Sequence, residues 1–572
     1  MQKVASQPSR REWIALFTIL ATLFAALAFQ AWRLGVTVDE PGHLISAHFY
    51  WHANDVLKPG DMPPLMKVIG GWPSLFFKLP VPYDYPAVWN SQQEAPIAAE
   101  TMVRMGYVRS HWLYFASRLT LTIFPLLTAF LLWYWGRQLF NPTTGLLLAL
   151  LFSAEPTALG HGALFKNDHA AAFTFFFFWF RAWRLWRNPS NRNVLWLACA
   201  LVLACAAKMS LLILVGITPL LIALRYWRTP LRAFAAILAT FAILYLGLLT
   251  LYQFDTKLLT TQDLARATYR GMPEAFGLFS KVFSVLPIPR LLWDGACELF
   301  FSNASASPVY ILGTLYNGGH PHYFLIAMAL KLPHSFQLLF IAGLLILSVH
   351  LWKSATRTTA LFVVLPPVLY VGLASLSSFQ LGLRLILPAF PFAMLIAGGA
   401  IHWLLARKQY WLLAAMIAWL GIRSISVYPF GITYFNQFAG GPGEGLRYLA
   451  DSNLDWGHAL PETAEFCRAN GIKKIKLSYF GLDIPRHYFA ENEIELIPPP
   501  WEDKYAKGMK WEPEPGYYAI SASLLPGFLF QTKYADYYEN FRNMQPIGKP
   551  GNAIYIYKVT VPVGVSETES GH

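Results

Sequence analysis

The sequence predicts a mostly α-helical polytopic membrane protein with a small α/β domain at its C-terminal end. Of its 572 residues, 55% are hydrophobic and only 13% are charged, and the mean hydropathy is +0.38. Soluble domains carry roughly 25% charged residues. Long apolar runs recur as far as residue 431, and short basic clusters separate them. Both features indicate that most of the chain lies in lipid.

Apolar runs close to the ~20 residues that cross a bilayer are the first elements of this architecture. We predict about eleven spans, at 13–35, 112–135, 144–162, 169–186, 194–208, 210–224, 231–253, 322–352, 359–376, 385–406 and 411–428. The first run follows Arg10 and Arg11 and lacks a small-residue cleavage site, so we interpret it as a retained signal anchor.

The distribution of Lys and Arg predicts the orientation. With a cytoplasmic N-terminus, most basic residues between the runs lie in the cytoplasm, as the positive-inside rule requires. They are Lys3, Arg10, Arg11, Arg137, Arg181, Arg184, Arg187, Arg192, Arg225, Arg228, Arg232, Lys353, Arg357, Arg407 and Lys408. An odd number of spans then puts the long loops 36–111 and 254–321 outside, together with the C-terminal domain. Loop 36–111 is rich in Pro and Trp, which indicates short helices lying in the membrane interface.

Charge and cysteine content exclude other classes of protein. The net charge is +13, but residues 432–572 carry 13 Lys and Arg against 17 Asp and Glu. The positive charge therefore belongs to the membrane part, where it is dispersed, and it does not indicate a nucleic-acid groove. The four cysteines are too scattered for a disulfide framework or a metal site.

The chain divides into a membrane module, residues 1–431, and an outer domain, residues 432–572. In the outer domain "GHALPETAEFCRANG" is typical of a helix, and "IKKIKLSYFG", "GYYAISASLL" and "NAIYIYKV" are typical of strands. A mixture of strands and a helix predicts a small α/β fold.

Two carboxylate motifs stand where apolar runs meet the outer face. "GVTVDEPGHLISAHFYW" places Asp39 and Glu40 directly after the first run, and "FKNDHAAAF" places Asp168 at the start of the fourth. Ionisable groups at membrane depth cost several kcal/mol unless pairing or function keeps them there. We therefore expect Asp39 and Asp168 to face one cavity, although a solvated pair at a helix end also explains Asp39 and Glu40.

Cations accompany these acids on the same side. They are Lys67, Lys166, Lys208, Lys331 and Arg384. A lysine that interrupts an apolar run also occurs where the ammonium reaches the lipid headgroups. Arg384 is permanently charged and its fork geometry suits phosphate oxygens. Together, the carboxylates and cations indicate a lipid-linked phosphate and a proton acceptor.

Several motifs resemble the superfamily of integral-membrane glycosyltransferases with the GT-C fold, in the branch of the protein O-mannosyltransferases and the lipid A aminoarabinose transferases. They are "VDEPGHL", "PPLMK", "FNPTTGLLLALLFSAEPTALGHGALFKND", "AAKMS", "YFLIAMALKLP" and "LGLRLILPAFPF". The segment "YFNQFAGGPGEGLRYLADSNLDWG" resembles a bacterial subset that carries an appended outer domain.

The resemblance implies transfer of a hexose or pentose, with inversion, from a polyprenyl-phosphate donor to an acceptor hydroxyl outside a bacterial inner membrane. It implies Asp39 as the general base, with Glu40 beside it and Asp168 as the second acid. The cations Lys67, Arg384, Lys331 and Lys208 would bind the donor phosphate. The acceptor is a glycan, a lipid or a protein. No cofactor beyond the donor and no metal site is indicated, although a divalent ion stays possible.

Physical chemistry agrees with these roles. A polyprenyl phosphate is a good leaving group, so its departure needs positive charge rather than a general acid. One carboxylate then suffices to take the proton of the acceptor hydroxyl.

Four further residues have two interpretations each. His43 lies one helical turn past Asp39 and either orients the carboxylate or forms an ordinary interfacial hydrogen bond. His161, before the Asp168 motif, is a candidate for orienting a site group or binding the acceptor. In "DSNLDWG", Asp455 and Trp456 belong either to an Asx turn that caps a helix or to a sugar or acceptor subsite. Asp451 and Asp455 would also suit a hard cation, but the spacing of a calcium loop is lacking.

Two residues depart from the family pattern. Met62 stands before the first-loop prolines, where relatives carry a lysine or a histidine, so either Lys67 replaces that cation or the donor is held differently. Glu155 is an unexpected acid near the outer end of the third run, either a third active-site acid or a locally hydrated group.

Two functions from other classes compete with the transferase. A secondary transporter would also place carboxylates on its ion path, but it tends to show repeated halves and broken helices near the midplane. No repeat is visible, and these acids lie at helix ends. A non-catalytic membrane protein whose outer domain binds glycan is the other alternative.

Overall fold

The computed structural model describes residues 7–52, 62–91, 93–263, 282–304 and 308–560. Helices dominate these residues. They are α1 (Arg10–Arg33), α2 (Glu40–Trp51), α3 (Pro64–Gly71), α4 (Pro86–Trp89), α5 (Glu94–Met105), α6 (Tyr107–Leu121), α7 (Ile123–Leu139), α8 (Pro142–Ser153), α9 (Pro156–Gly162), α10 (Asp168–Arg187), α11 (Asn191–Ala207), α12 (Ile213–Arg225), α13 (Pro230–Leu251), α14 (Arg290–Ala304), α15 (Tyr323–Lys331), α16 (His334–Trp352), α17 (Ser354–Ser375), α18 (Phe390–Ala406), α19 (Tyr410–Ile425), α20 (Leu460–Ala469) and α21 (Glu539–Arg542).

Short strands and 3-10 turns complete the described residues. The strands are β1 (Thr256–Lys257), β2 (Ile288–Pro289), β3 (Pro308–Ile311), β4 (Thr314–Asn317), β5 (Ile475–Ser478), β6 (Ile494–Leu496), β7 (Gly516–Ser521) and β8 (Ile554–Val559). The 3-10 helices that matter for the site are Leu383–Ala389 and Asp451–Asn453.

Five described helices are long and apolar enough to cross a membrane by length and composition. They are Arg10–Arg33, Tyr107–Leu139, Pro230–Leu251, Thr356–Ser375 and Leu383–Ala406. A sixth span results if α8 and α9, which are bent by 64° at the break between them, cross together. The predicted polytopic helical class is confirmed, but the count is lower than the predicted eleven. Breaks explain part of the difference, because the run 322–352 is divided between α15 and α16 at Leu332 and Pro333.

Ion pairs mark the two ends of the bundle. At one end, Arg137 Nε lies 2.7 Å from Glu12 Oε1, which also accepts a hydrogen bond from Trp133 Nε1. At the other end, Lys166 lies 2.6 Å from Asp39. The start of α1 and the end of α7 therefore share one side, opposite to the acidic motif after α1. This arrangement agrees with the alternation of sides that the sequence predicts for these segments.

The loop after α1 folds onto the bundle as short helices. Helix α2 packs against α3 and α5. The 3-10 turn Trp72–Phe76 exposes the side chains of Trp72 and Phe76, whereas Phe77 is half-buried. The predicted short helices are present, and this turn has the exposed aromatic rings expected of a segment that contacts headgroups.

The C-terminal part contains a four-stranded sheet in the order β6-β5-β7-β8, as the α/β prediction requires. Strand β5 pairs parallel with β6 and β7, and β8 is antiparallel to β7. Helix α20 packs Leu460, Ala464 and Cys467 against the apolar side chains of this sheet. The predicted helix and three strands all occur. Strand β6 was not predicted because it spans only three residues, in an acidic segment that runs into three prolines.

Main-chain hydrogen bonds join the loop after α1 to the start of the C-terminal part. Gly35 N donates to His458 O at 2.9 Å, and Val38 N donates to Trp456 O at 2.9 Å. The side chain of Arg33 adds ion pairs with Glu462 and Glu465. The motif "DSNLDWG" is thereby held directly beside the segment that carries Asp39.

Candidate functional site

Asp39 precedes α2 and forms close contacts with two cations. Its Oδ2 lies 2.6 Å from Lys166 Nζ and 3.9 Å from Arg384 Nη2, and its side chain keeps 33% of its surface exposed. Burial alone would raise the pKa of the Asp39 carboxyl. The charges of Lys166, Arg384 and His43 outweigh burial and lower that pKa well below its usual range. Asp39 is therefore an accessible, ionised carboxylate.

Asp168 occupies the other side of the same arginine. It is the first residue of α10 and is buried, with Oδ1 2.6 Å from Lys208 Nζ and Oδ2 3.5 Å from Arg384 Nη1. The guanidinium of Arg384 thus contacts both carboxylates that the sequence singled out. We call Asp39, Asp168, Lys166, Lys208 and Arg384 the charged cluster. It gathers three cations and two carboxylates.

Each member of the charged cluster stands at a break in a helix. Lys166 lies in the turn before α10, Lys208 ends α11, and Arg384 belongs to the 3-10 helix before α18. Irregular backbone occurs at membrane depth only where protein buries it or where it lines a cavity. The breaks therefore allow long charged side chains to converge where an unbroken helix would present apolar ones.

Residues of the C-terminal part hold Arg384 in place. Arg384 Nε donates to Ser452 Oγ at 3.0 Å, and Ser452 Oγ donates in turn to Leu381 O. Asn453 Oδ1 accepts from Leu383 N at 3.1 Å, at the start of the 3-10 helix that carries the arginine. These contacts fix the direction of the guanidinium, so the motif "DSNLDWG" completes the cluster rather than merely flanking it.

Trp456 packs against the cations of this cluster. Its ring centre lies 4.3 Å from the Arg384 guanidinium carbon and 5.1 Å from Lys166 Nζ, which are cation–π distances. The ring of His161 approaches from another side at 5.9 Å. Only 2% of Trp456 is exposed, so a sugar has no free face to stack on. The structure therefore favours a structural role for Trp456 over a sugar subsite, because the ring orients the cations.

Asp455 points away from the cluster into the C-terminal part. It is fully buried; Oδ1 accepts from Gly457 N at 3.0 Å and Oδ2 from Ser523 N at 3.5 Å. These hydrogen bonds support the interpretation of Asp455 as a turn residue rather than as part of an acceptor subsite. Burial raises the pKa of Asp455 to about 7, despite these hydrogen bonds. Among the described residues, no three His, Cys, Asp or Glu side chains are grouped so that they would hold a metal ion.

Glu40 lies next to Asp39 in sequence but has a different environment. It is fully buried and forms a two-bond ion pair with Arg118, at 2.8 and 2.6 Å. Its oxygens also accept from the backbone N–H groups of Thr37 and Phe165. Burial would raise the pKa of Glu40, but Arg118 and these N–H groups lower it. With all its contacts inside the protein, Glu40 is placed to hold the loop rather than to exchange protons.

Lys331 does not fit the predicted phosphate-binding role. Its Nζ is buried and donates to three backbone carbonyls, of Ile432, Tyr434 and Asn453, at 2.8, 3.0 and 2.5 Å. An ammonium has three donors, and all three are used. Lys331 instead ties the end of α15 to the segment that leads into the C-terminal part.

Lys67 and His43 lie in different places. Lys67 is buried and lines a small pocket together with Met62, Ser46 and Tyr252. His43 Nδ1 lies 3.3 Å from Phe165 O, one residue before Lys166. His43 therefore stays near Asp39.

Comparisons with known proteins give a likeness in structure only. No family model matches the chain, and no curated protein matches it. The structure is similar to that of ArnT from Cupriavidus metallidurans bound to undecaprenyl phosphate, with a TM-score of 0.47 and 12% sequence identity. The likeness covers 96% of this chain and 98% of that one. The apo structure of the same ArnT gives a TM-score of 0.44 at 12% identity, covering 94% and 98%.

Two residues of the site were not singled out from the sequence. Arg118 is buried, and besides Glu40 it binds the backbone carbonyls of Ala31, Leu34 and Gly35. The sequence did contain a signal for Arg118, because a charged residue within an apolar run such as 112–135 is rare unless it is paired or functional. Asn453, by contrast, gives no signal in sequence, because an Asn in a turn-forming segment is ordinary.

Proposed function

We propose that this chain is a GT-C-type glycosyltransferase of a bacterial inner membrane. It transfers a sugar with inversion from a polyprenyl-phosphate donor to an acceptor hydroxyl at the outer face. In this proposal the N-terminus is cytoplasmic and the C-terminal domain is periplasmic. The single observation that carries the proposal is the contact of Arg384 with both Asp39 and Asp168, flanked by Lys166 and Lys208.

The charges of the cluster suit a phosphate leaving group. Within the charged cluster, three cations face the carboxylates of Asp39 and Asp168. Cationic groups aimed at the oxygens where charge develops are a main source of catalysis in such transfers. Arg384 offers a fork-shaped donor, and Trp456 and Ser452 hold it in one orientation, so it would grip the donor phosphate between Lys166 and Lys208.

Asp39 is the proposed general base. The acceptor oxygen attacks the anomeric carbon, the bond from that carbon to the phosphate oxygen breaks, and Asp39 takes the acceptor proton. In the free protein Lys166 and Arg384 lower the basicity of Asp39. A bound phosphate shares those cations, so donor binding would make Asp39 a better base at the moment when it is needed.

Asp168 and Glu40 have supporting roles in this mechanism. Asp168 is buried between Lys208 and Arg384 and would keep both cations oriented. Glu40 holds the loop that carries Asp39 through its pair with Arg118. We do not assign Lys331 to the donor phosphate, because all three of its donors bind backbone carbonyls, whereas the phosphate-binding role of Lys67 stays a prediction.

The test is loss of an envelope glycan in the Asp39→Asn variant. Mass spectra of envelope glycans and glycoproteins are compared for cells that carry the wild type, D39N, the exposed control Asp294→Asn, or no copy. We expect one sugar-bearing species to disappear without the protein and with D39N, at equal membrane levels of protein, and to persist with D294N. Unchanged glycans in D39N refute the proposal. Proton-coupled flux that D39N abolishes would instead support the transporter.

A further inference from the structure

Three arginines lie close together at the end of the bundle opposite the charged cluster. Arg181 and Arg184 stand in the second half of α10, and Arg192 is the second residue of α11. Arg184 Nη1 donates to Gln138 Oε1 at 3.4 Å, close to the end of α7. We call Arg181, Arg184 and Arg192 the arginine patch. Because α10 begins at Asp168, the charged cluster and the arginine patch occupy the two ends of one helix.

The arginine patch has no carboxylate partner among the described residues. Helices α7 and α11 contain no Asp or Glu, and α10 contains only Asp168, at its other end. The hydrogen bonds of Arg181 and Arg184 go to neutral side-chain amides, at 3.1 and 3.4 Å. The charges that act on Arg181 from nearby are those of Arg184 and Arg192, which have the same sign. Since like charges repel, an anion from outside the chain would stabilise this arrangement.

The guanidinium of Arg181 is held in one place by the protein. Its Nη2 donates to Asn193 Oδ1 at 3.1 Å, and its central carbon lies 5.2 Å from the ring centre of Trp196 and 5.9 Å from that of Phe180. Its Nε is buried without a partner among the described residues, so the group is partly withdrawn from water but not neutralised. Nη1 makes no hydrogen bond within the described residues. A fixed arginine with a nitrogen to spare is suited to a phosphate oxygen.

Exposed apolar side chains border the arginine patch. Tyr134 of α7 and Leu195 and Trp196 of α11 are exposed, and the ring centre of Tyr134 lies 5.8 Å from that of Phe180. Tyr and Trp beside basic side chains are typical of the level of the lipid headgroups. A soluble phosphate has no use for such a surface, whereas a phospholipid carries acyl chains next to its phosphate. The anion that fits both features is therefore a lipid.

We propose that the arginine patch binds the headgroup of an anionic phospholipid, whose acyl chains lie against the three exposed apolar side chains. Arg181 Nη1 and the guanidinium of Arg192 would contact the phosphate oxygens, which suit forked donors. Basic pockets between membrane helices are known to take anionic headgroups. This binding does not depend on the proposed transferase. A lipid bound there would anchor the far end of the helix that begins at Asp168.

Native mass spectrometry of the delipidated protein in detergent tests this binding directly. The probes are palmitoyl-oleoyl phosphatidylglycerol, which is anionic, and palmitoyl-oleoyl phosphatidylcholine, which has no net charge. We expect the wild type to bind the first more tightly. Arg181→Gln combined with Arg192→Gln should weaken that binding by about 25-fold, because one arginine near an anionic headgroup is worth about fivefold. Arg407→Gln combined with Lys408→Gln, which removes the same charge from another exposed turn at this end, should bind as the wild type.

Each outcome decides for or against the arginine patch. Equal affinity for the two lipids, or equal weakening by the two double variants, overturns the proposal. Displacement of phosphatidylglycerol by inorganic phosphate at millimolar concentration would assign the patch to a soluble anion and overturn the lipid. Arg192→Gln alone changes an exposed side chain and should weaken binding by about fivefold, so the test holds even if Arg181→Gln does not fold. Wild-type binding by that single variant would contradict the proposal.

Discussion

Arg384 lies between Asp39 and Asp168, with guanidinium nitrogens 3.9 Å from the first carboxylate and 3.5 Å from the second. Its Nε is bound by Ser452, and Trp456 covers its face. One side chain therefore joins the loop after α1, the start of α10 and the C-terminal part.

Replacing Arg384 by lysine should reduce sugar transfer by about 10²–10³-fold, the range seen when a single charge-stabilising donor is removed. Lysine keeps the charge but loses the planar fork that contacts two carboxylates and Ser452 at once. The measurement is the initial rate of polyprenyl phosphate release. Arg407→Lys, an exposed arginine over Trp403, should leave that rate unchanged. A fully active R384K variant would mean that the forked guanidinium of Arg384 has no catalytic role.

Removing Lys166 should shift the acidic limb of the pH profile of kcat/KM to higher pH. Lys166 and Arg384 hold the pKa of Asp39 below its usual range, so the wild-type limb of kcat/KM lies below about pH 4. Without Lys166 the Asp39 pKa rises, and Lys166→Met should shift that limb to higher pH. Because kcat reports the donor-bound protein, its limb should lie above that of kcat/KM already in the wild type. Lys504→Met, an exposed control, should leave both limbs in place.

Breaking the Glu40–Arg118 pair should destabilise the protein. Removing one partner of a buried ion pair costs about 3–5 kcal/mol, because the other charge stays buried and unpaired. Glu40→Gln should therefore lower the thermal midpoint clearly. The double variant Glu40→Gln with Arg118→Gln should lose less than the sum of the two single losses. Additive losses would show that the pair is not coupled.

Trp456→Phe should slow transfer by up to about tenfold and, because the indole is buried, should also lower the thermal midpoint. Phenylalanine keeps an aromatic ring but is a weaker cation–π partner for Arg384 and Lys166. Rates and thermal midpoints are measured in the same nanodisc preparation. Trp501→Phe serves as the matched control, since Trp501 is exposed and contacts Phe530 in the C-terminal part. Equal rates in both variants would leave Trp456 without a positioning role.

Stability should fall as the pH rises from about 4 to about 7, because of Asp455. Burial raises its folded-state pKa to about 7, against about 3.9 in an unfolded chain. Within that window the folded protein holds a proton that the unfolded chain has lost, and each pKa unit is worth about 1.4 kcal/mol. Asp455→Asn should flatten this part of the curve of thermal midpoint against pH, whereas exposed Asp536→Asn should not. A curve that D455N leaves unchanged would contradict the raised pKa.

The convergence of Asp39 and Asp168 was predictable from sequence, but the partners of several charged side chains were not. Asp39, Asp168, Lys208 and Arg384 converge because helix ends on one face of a bundle are close together. Lys331 has the same sequence signature as Lys208, yet it binds backbone carbonyls. Lys331 differs from Lys208 because residues 432–453 supply the carbonyls that it binds, and hydropathy does not predict the path of that segment. The role of Trp456 depends on that same path.

The two main-chain hydrogen bonds that join Gly35 to His458 and Val38 to Trp456 link segments more than 400 positions apart. The Asp39 segment is synthesised early, but it receives these hydrogen-bond partners only after residue 458 has been made. Until then Arg384 lacks Ser452 and Trp456. The charged cluster is therefore incomplete until most of the chain has been synthesised.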